Sequence, residues 1–168
     1  MSRAAWVLVW AASALAAGCG LAARRPGGAA APGSGGVVVV NLQAMPTAIN
    51  WDNNPGSDGL RCRVYLFGPD PHHPESMSAE GDLDFLIYEG AISHDEIATS
   101  QAVYEWHFSR AALQAQQVRS IAGMGYAFSL PWGDKVPTSP TITLVARYTA
   151  PGAKAAYSSP VAIVMKAT

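Results

Sequence analysis

The sequence predicts a mainly β domain: an antiparallel sandwich of about seven short strands with one short connecting helix. Three observations carry this. Apolar and polar residues alternate with a period of two in segment after segment, as half-buried strands require. Clusters of Gly, Pro, Asn and Asp separate those segments at short intervals. The stretch from residue 37 onward has 132 residues, one domain's worth and enough for a core without disulfides or metal.

The strands follow in order. Val37 to Leu42 is apolar on both faces and opens the domain. In Arg61 to Phe67, Cys62, Val64 and Leu66 share one face, and Arg61, Arg63, Tyr65 and Phe67 the other. In Asp82 to Tyr88, Leu83, Phe85 and Ile87 point inward, with Asp82 and Asp84 on the wetter side. Tyr104, Trp106 and Phe108 oppose Glu105 and His107, which places His107 on the surface. Tyr126, Phe128 and Leu130 alternate with Ala127 and Ser129. Ile142, Leu144, Ala146 and Tyr148 form the next inward face, and Val161, Ile163 and Met165 the last. The final two strands suit a hairpin across Pro151-Gly152. Between the Tyr104–Phe108 and Tyr126–Leu130 segments, Ser109 to Ala122 carries Ala111, Ala112, Leu113, Ala115, Val118 and Ile121 among polar residues, with Ser109 able to cap its start and Gly123 its end, so the spacing predicts a helix. The expected fold is immunoglobulin-like or transthyretin-like.

Ahead of the domain, Arg3 precedes an uncharged run of 14 residues, Ala4 to Ala17, which ends in small residues and Cys19. A membrane-spanning helix needs about 20 apolar residues, so this run reads as a cleaved leader. No twin arginine precedes it, which indicates the general secretion route. Leu15-Ala16-Ala17-Gly18-Cys19 resembles the lipobox of bacterial lipoproteins, over about 19 residues in all. The resemblance implies cleavage between Gly18 and Cys19 and lipidation of the Cys19 thiol. Ala16 stands where the family usually has leucine, with Leu15 one place back; the alternative is an ordinary secretory signal. Two or three acyl chains would anchor the chain stably, since each buried CH₂ contributes about 0.8 kcal/mol. Gly20, where an inner-membrane retention signal would place Asp, favours the outer membrane.

The expected organisation is thus residues 1–18 as signal, 19–36 as lipidated cysteine plus tether, and 37–168 as the sandwich. Gly20 to Gly36 is rich in Gly, Ala and Pro and lacks apolar periodicity, so it reads as a flexible linker with a reach of about 20–25 Å. Eleven basic residues less Arg3 leave ten against twelve acidic, a net charge of −2 after cleavage. That excludes the clustered basic character of a nucleic-acid binder. With Cys19 assigned to lipid, Cys62 is unpaired and is expected in the core.

Candidate chemistry is sparse. Trp51 to Gly59 gathers oxygen ligands, but its spacing misses the EF-hand pattern and its residues are those of any tight turn. His72-His73 lies between prolines without a third ligand at useful spacing. Asp82 and Asp84 are two apart on one strand face, a spacing a glycosidase could use, but solvated strand charges are commoner. No Gly-x-Ser-x-Gly turn or phosphate loop is present. A non-catalytic protein without cofactor or metal is therefore expected. The loop residues Trp51, Asp52 and Trp132 are the candidate ligand-binding set, because loop aromatics stack on sugars or anchor proteins; the competing expectation is that both tryptophans plug the core.

The run of segments from Arg61–Phe67 to Thr141–Ile163 resembles uncharacterised β-sandwich lipoproteins of bacterial envelopes, and more loosely the small outer-membrane lipoprotein of type VI secretion. Neither resemblance transfers a site residue. The expectation rests instead on the anchor, the tether and a sandwich without a recognisable active site: an envelope location, a membrane partner through the lipid, another envelope protein as ligand and a structural or protein-binding role, with glycan binding through Trp51 or Trp132 as the alternative.

Overall fold

The computed structural model describes residues 37, 39–52, 54–70 and 75–165. Two antiparallel sheets face each other as a β-sandwich, with nine strands among these residues. The first sheet runs β1 (Val39–Ala44), β2 (Gly59–Phe67), β6 (Gly123–Pro131), β5 (Gln117–Ser120). The second runs β4 (Tyr104–Phe108), β3 (Asp82–Glu89), β7 (Thr141–Thr149), with β8 (Ala156–Tyr157) and β9 (Val161–Val164) sharing the far edge of β7.

The inward faces are those the alternation indicates. Cys62, Val64 and Leu66 of β2 meet Leu83, Phe85 and Ile87 of β3 and Ile142, Leu144 and Ala146 of β7 in one core. Phe128 lies 4.7 Å from both Phe85 and Phe108, so three rings join the two layers. Cys62 is buried, and burial pushes its thiol up to about 12, so it is an inert core residue.

Ahead of β3, Ala79 to Gly81 are held by two core tyrosines. The Tyr126 hydroxyl accepts from Ala79 N at 2.6 Å, and the Tyr148 hydroxyl accepts from Glu80 N and Gly81 N, both at 2.9 Å. Gly81 is required by close approach: a Cβ there would lie 2.1 Å from the Thr149 carbonyl oxygen. At the opposite corner, Ala48 N donates to Val164 O and Val164 N to Pro46 O, which ties the chain after β1 to β9.

Four expectations need correction. The helix is short: α1 covers Arg110–Ala115, capped by Ser109, and the rest of the expected helix is β5 and a turn. Gln117 to Ser120 pairs with Gly123 to Tyr126, so Val118 belongs to a period of two. Gly123 at φ +99° makes the reversal possible. The strand number exceeds seven because β5 and the two-residue β8 escaped the pattern. The expected final hairpin forms, but its return strand is split: Ser158 N donates to Ala146 O, Ala146 N donates to the Ser158 hydroxyl, and the register shifts by one residue before β9. Pro160, which has no N–H, sits at that bulge. Finally, the outer face of the second sheet is not wet throughout. Leu86, Tyr88 and Val145 are buried there with Ile97, beneath the loop after β3 that contains a 3₁₀ turn at His94–Glu96. Asp84, expected on the wetter side, is buried on the same face. A loop covering an outer face leaves no trace in strand alternation.

Candidate functional site

Trp51, Asp52 and Trp132 meet at one end of the sandwich. Asp58 brings them together: its Oδ2 accepts from the backbone N–H groups of Trp51 and Asp52, and its carbonyl accepts from Trp132 N at 2.8 Å. Gly59 is needed there, because a Cβ would stand 2.2 Å from the Leu130 carbonyl oxygen and 2.7 Å from the Trp51 ring. Trp132 is only 1% exposed and packs 5.8 Å from Trp106, whose Nε1 donates to Pro131 O at 3.1 Å. The Trp132 ring therefore closes the core and offers solvent no face on which a sugar could stack. Trp51 is half-buried, and its Nε1, like that of Trp132, is buried without an acceptor among the described residues.

Asp52 is exposed, and its carboxylate is engaged by Asn54 through the backbone N–H at 2.8 Å and the side-chain amide at 2.7 Å. The backbone hydrogen bond from Asn54 is the main cause that holds Asp52 below the usual carboxylate value. These oxygens face the loop's own donors, as in an Asx turn. Among the described residues no group of three or more His, Cys, Asp or Glu could hold a metal ion. His72 and His73, and likewise Gly18 and Cys19, lie outside the described residues.

The second constellation lies on the outer face of the β4-β3-β7 sheet. Register aligns His107, Asp84, Arg147 and Tyr157 in one row across four strands. Asp84 is the hub: Oδ1 takes His107 Nδ1 at 2.6 Å and Oδ2 takes Arg147 Nε at 2.9 Å, while Arg147 Nη2 reaches Glu105 at 2.6 Å. The Asp84 side chain is 8% exposed against 59% for His107. His107 is on the surface, as expected, but ion-paired. Its pKa is raised, chiefly by the hydrogen bond to Asp84, against the opposing effect of burial and with lesser contributions from the charges of Asp84, Asp82 and Glu105. An Asp-held imidazole resembles the base and orienter of a hydrolytic site, but no hydroxyl or thiol among the described residues is hydrogen-bonded to His107. The network satisfies a buried carboxylate.

The raised His107 value has a stability consequence. A histidine whose folded pKa lies above its unfolded value stabilises fully below the ordinary value of 6.5 and loses that contribution as pH rises through the folded value. Thermal melts across this interval should show a wild-type decline that His107→Ala lacks. Parallel profiles would contradict the assignment.

The third constellation is a trough on the outer face of the β1-β2-β6-β5 sheet. Strand β2 places Arg61 and Arg63 there, two residues apart and both exposed. Opposite them β6 contributes Ser129 and Ala127, and beyond Ala127 lies Gly125. These small side chains lower the floor along β6. Gln43 and Met45 border one side and Gln116 the other, around a depression of about 720 Å³. Further along β2, the Tyr65 ring lies over Gly125, where a Cβ would come within 2.7 Å of it, and its hydroxyl pairs with Ser120 Oγ at 3.0 Å. No acidic residue lines the trough, and neither guanidinium has an ion pair or hydrogen bond among the described residues. The two arginines were legible as the wet face of β2. Their small neighbours became partners only through the β2–β6 register, which a single sequence does not reveal.

The fold and this face define a β-sandwich with an open, basic groove on one sheet. Compared with models of known protein families, with curated proteins and with solved structures, the chain matches none.

Proposed function

We propose that the chain is a lipoprotein of the bacterial cell envelope, held at a membrane through acylated Cys19, whose sandwich is a non-catalytic module that binds another envelope protein. The observation that carries the binding role is the trough over β2 and β6, an open groove with two positive charges that have no ion pair among the described residues. Arg147 supplies the contrast: it is spent on carboxylates within the fold, whereas Arg61 and Arg63 have no such partner among the described residues. The anchor rests on Leu15 to Cys19, and Gly20 favours the outer membrane.

Two arms test this reading. Metabolic labelling with an alkyne-bearing palmitate should mark the wild type and Cys62→Ala but not Cys19→Ala; equal labelling of Cys19→Ala would remove the anchor. Photo-cross-linking from the trough in intact envelopes should trap a discrete protein.

A further inference from the structure

We propose that the trough takes an extended acidic segment of the partner protein, with carboxylates at alternate positions seated on Arg61 and Arg63. The inference rests on the protein-binding reading above and deepens it by naming the chemistry of the ligand.

Spacing is the first argument. Arg61 and Arg63 are successive outward residues of one strand, about 6.6 Å apart along it. An extended ligand repeats its side chains at the same interval, so Asp or Glu at every second position meets both guanidiniums in register. Arginine suits this task, because its planar fork accepts a carboxylate in two parallel hydrogen bonds.

Shape is the second. The floor beside the arginines is Ala127 and Ser129, low enough for a main chain to lie along β6. Gln43, Gln116 and Ser129 offer neutral hydrogen-bonding groups around it, and Met45 and Pro46 an apolar rim. Strands β2 and β6 are interior to their sheet, so their main-chain groups are already paired. The segment is therefore held by side chains, not by strand addition at an edge. Such binding weakens as salt rises.

Charge and size argue against the other anionic occupants. A depression of about 720 Å³ is far larger than one phosphate or carboxylate needs. A membrane surface attracts broad polybasic faces, whereas this chain carries a net charge of −1 and two arginines on the face concerned.

The test uses the full-length lipidated protein in detergent micelles and a short fluorescent peptide with glutamate at every second position, read by anisotropy. Saturable binding is expected, falling with added salt and roughly tenfold weaker for each arginine changed to glutamine. Arg61→Lys with Arg63→Lys should retain part of it. Both positions are exposed, and unchanged thermal melts will show that the variants fold. The glutamine counterpart of the peptide should not bind. Equal binding of that counterpart, or affinity unchanged in Arg61→Gln/Arg63→Gln, overturns the inference. So does arginine-dependent binding confined to phosphatidylglycerol vesicles or to inorganic phosphate. If the glutamate peptide fails but a trough position still cross-links to a discrete envelope protein, the acidic ligand is wrong and the binding role stands. If no protein is trapped, the binding role falls as well.

Discussion

Trp132→Ala is expected to lower the unfolding free energy by about 3–5 kcal/mol, the usual range for emptying a buried tryptophan site. The ring is fully buried at the sandwich end, packed against Trp106, and its backbone is fixed by Asp58. Neighbouring main chain cannot fill the space, because Pro131 is held by Trp106 Nε1 and the Asp58 carbonyl by Trp132 N. For a domain of this size the melting temperature should fall by roughly 10–20 °C. Trp132→Phe should cost less, since phenylalanine keeps much of the packing and removes an indole N–H that is buried without an acceptor among the described residues. Denaturant melts of both variants decide the role of this tryptophan. A loss below about 1 kcal/mol for Trp132→Ala would place the ring outside the core and reopen a ligand-contacting role.

Arg147→Ala is the second large effect, on the order of 3 kcal/mol, because it strands the buried Asp84 carboxylate with only one hydrogen-bonding partner among the described residues. The expected value sits at the lower end for a broken buried pair, since Arg147 is itself 31% exposed and its pair with Glu105 lies at the surface. Replacing both members by apolar residues, Asp84→Leu with Arg147→Met, should recover most of the loss, because the uncompensated charge then disappears. The pair of experiments separates a cost of stranding a charge from a gain of having one. A change within about 0.5 kcal/mol for Arg147→Ala would mean that Asp84 is solvated in solution.

Much of the sandwich was legible in the chain, for a physical reason. A strand with one buried face must alternate, and the inward sets around Cys62, Phe85, Phe128 and Leu144 were readable one residue at a time. What escaped depended on a second segment. Asp84 and Val145 are buried by a loop and by ion pairing across strands, neither of which leaves a local pattern. Val118 fitted a helical stripe as well as a strand, and only pairing with β6 placed it in β5, with Ile121 in the turn that follows. Trp51 and Trp132 were singled out as loop aromatics, and they do converge, but Trp132 does so as a core plug. The trough is the clearest case: Arg61 and Arg63 are adjacent in pattern, while Ala127 and Ser129 join them only through register.

The binding role is tested most directly by site-specific photo-cross-linking in living cells. A photoreactive residue is placed at exposed Gln43 on the trough rim and, as a control, at exposed Thr149 on the other sheet. Irradiation of the full-length protein should yield one discrete protein adduct from Gln43, reduced in Arg61→Gln/Arg63→Gln and absent from Thr149. Adducts confined to lipid, or equal from both positions, would contradict a sandwich that binds an envelope partner through its arginine-lined face.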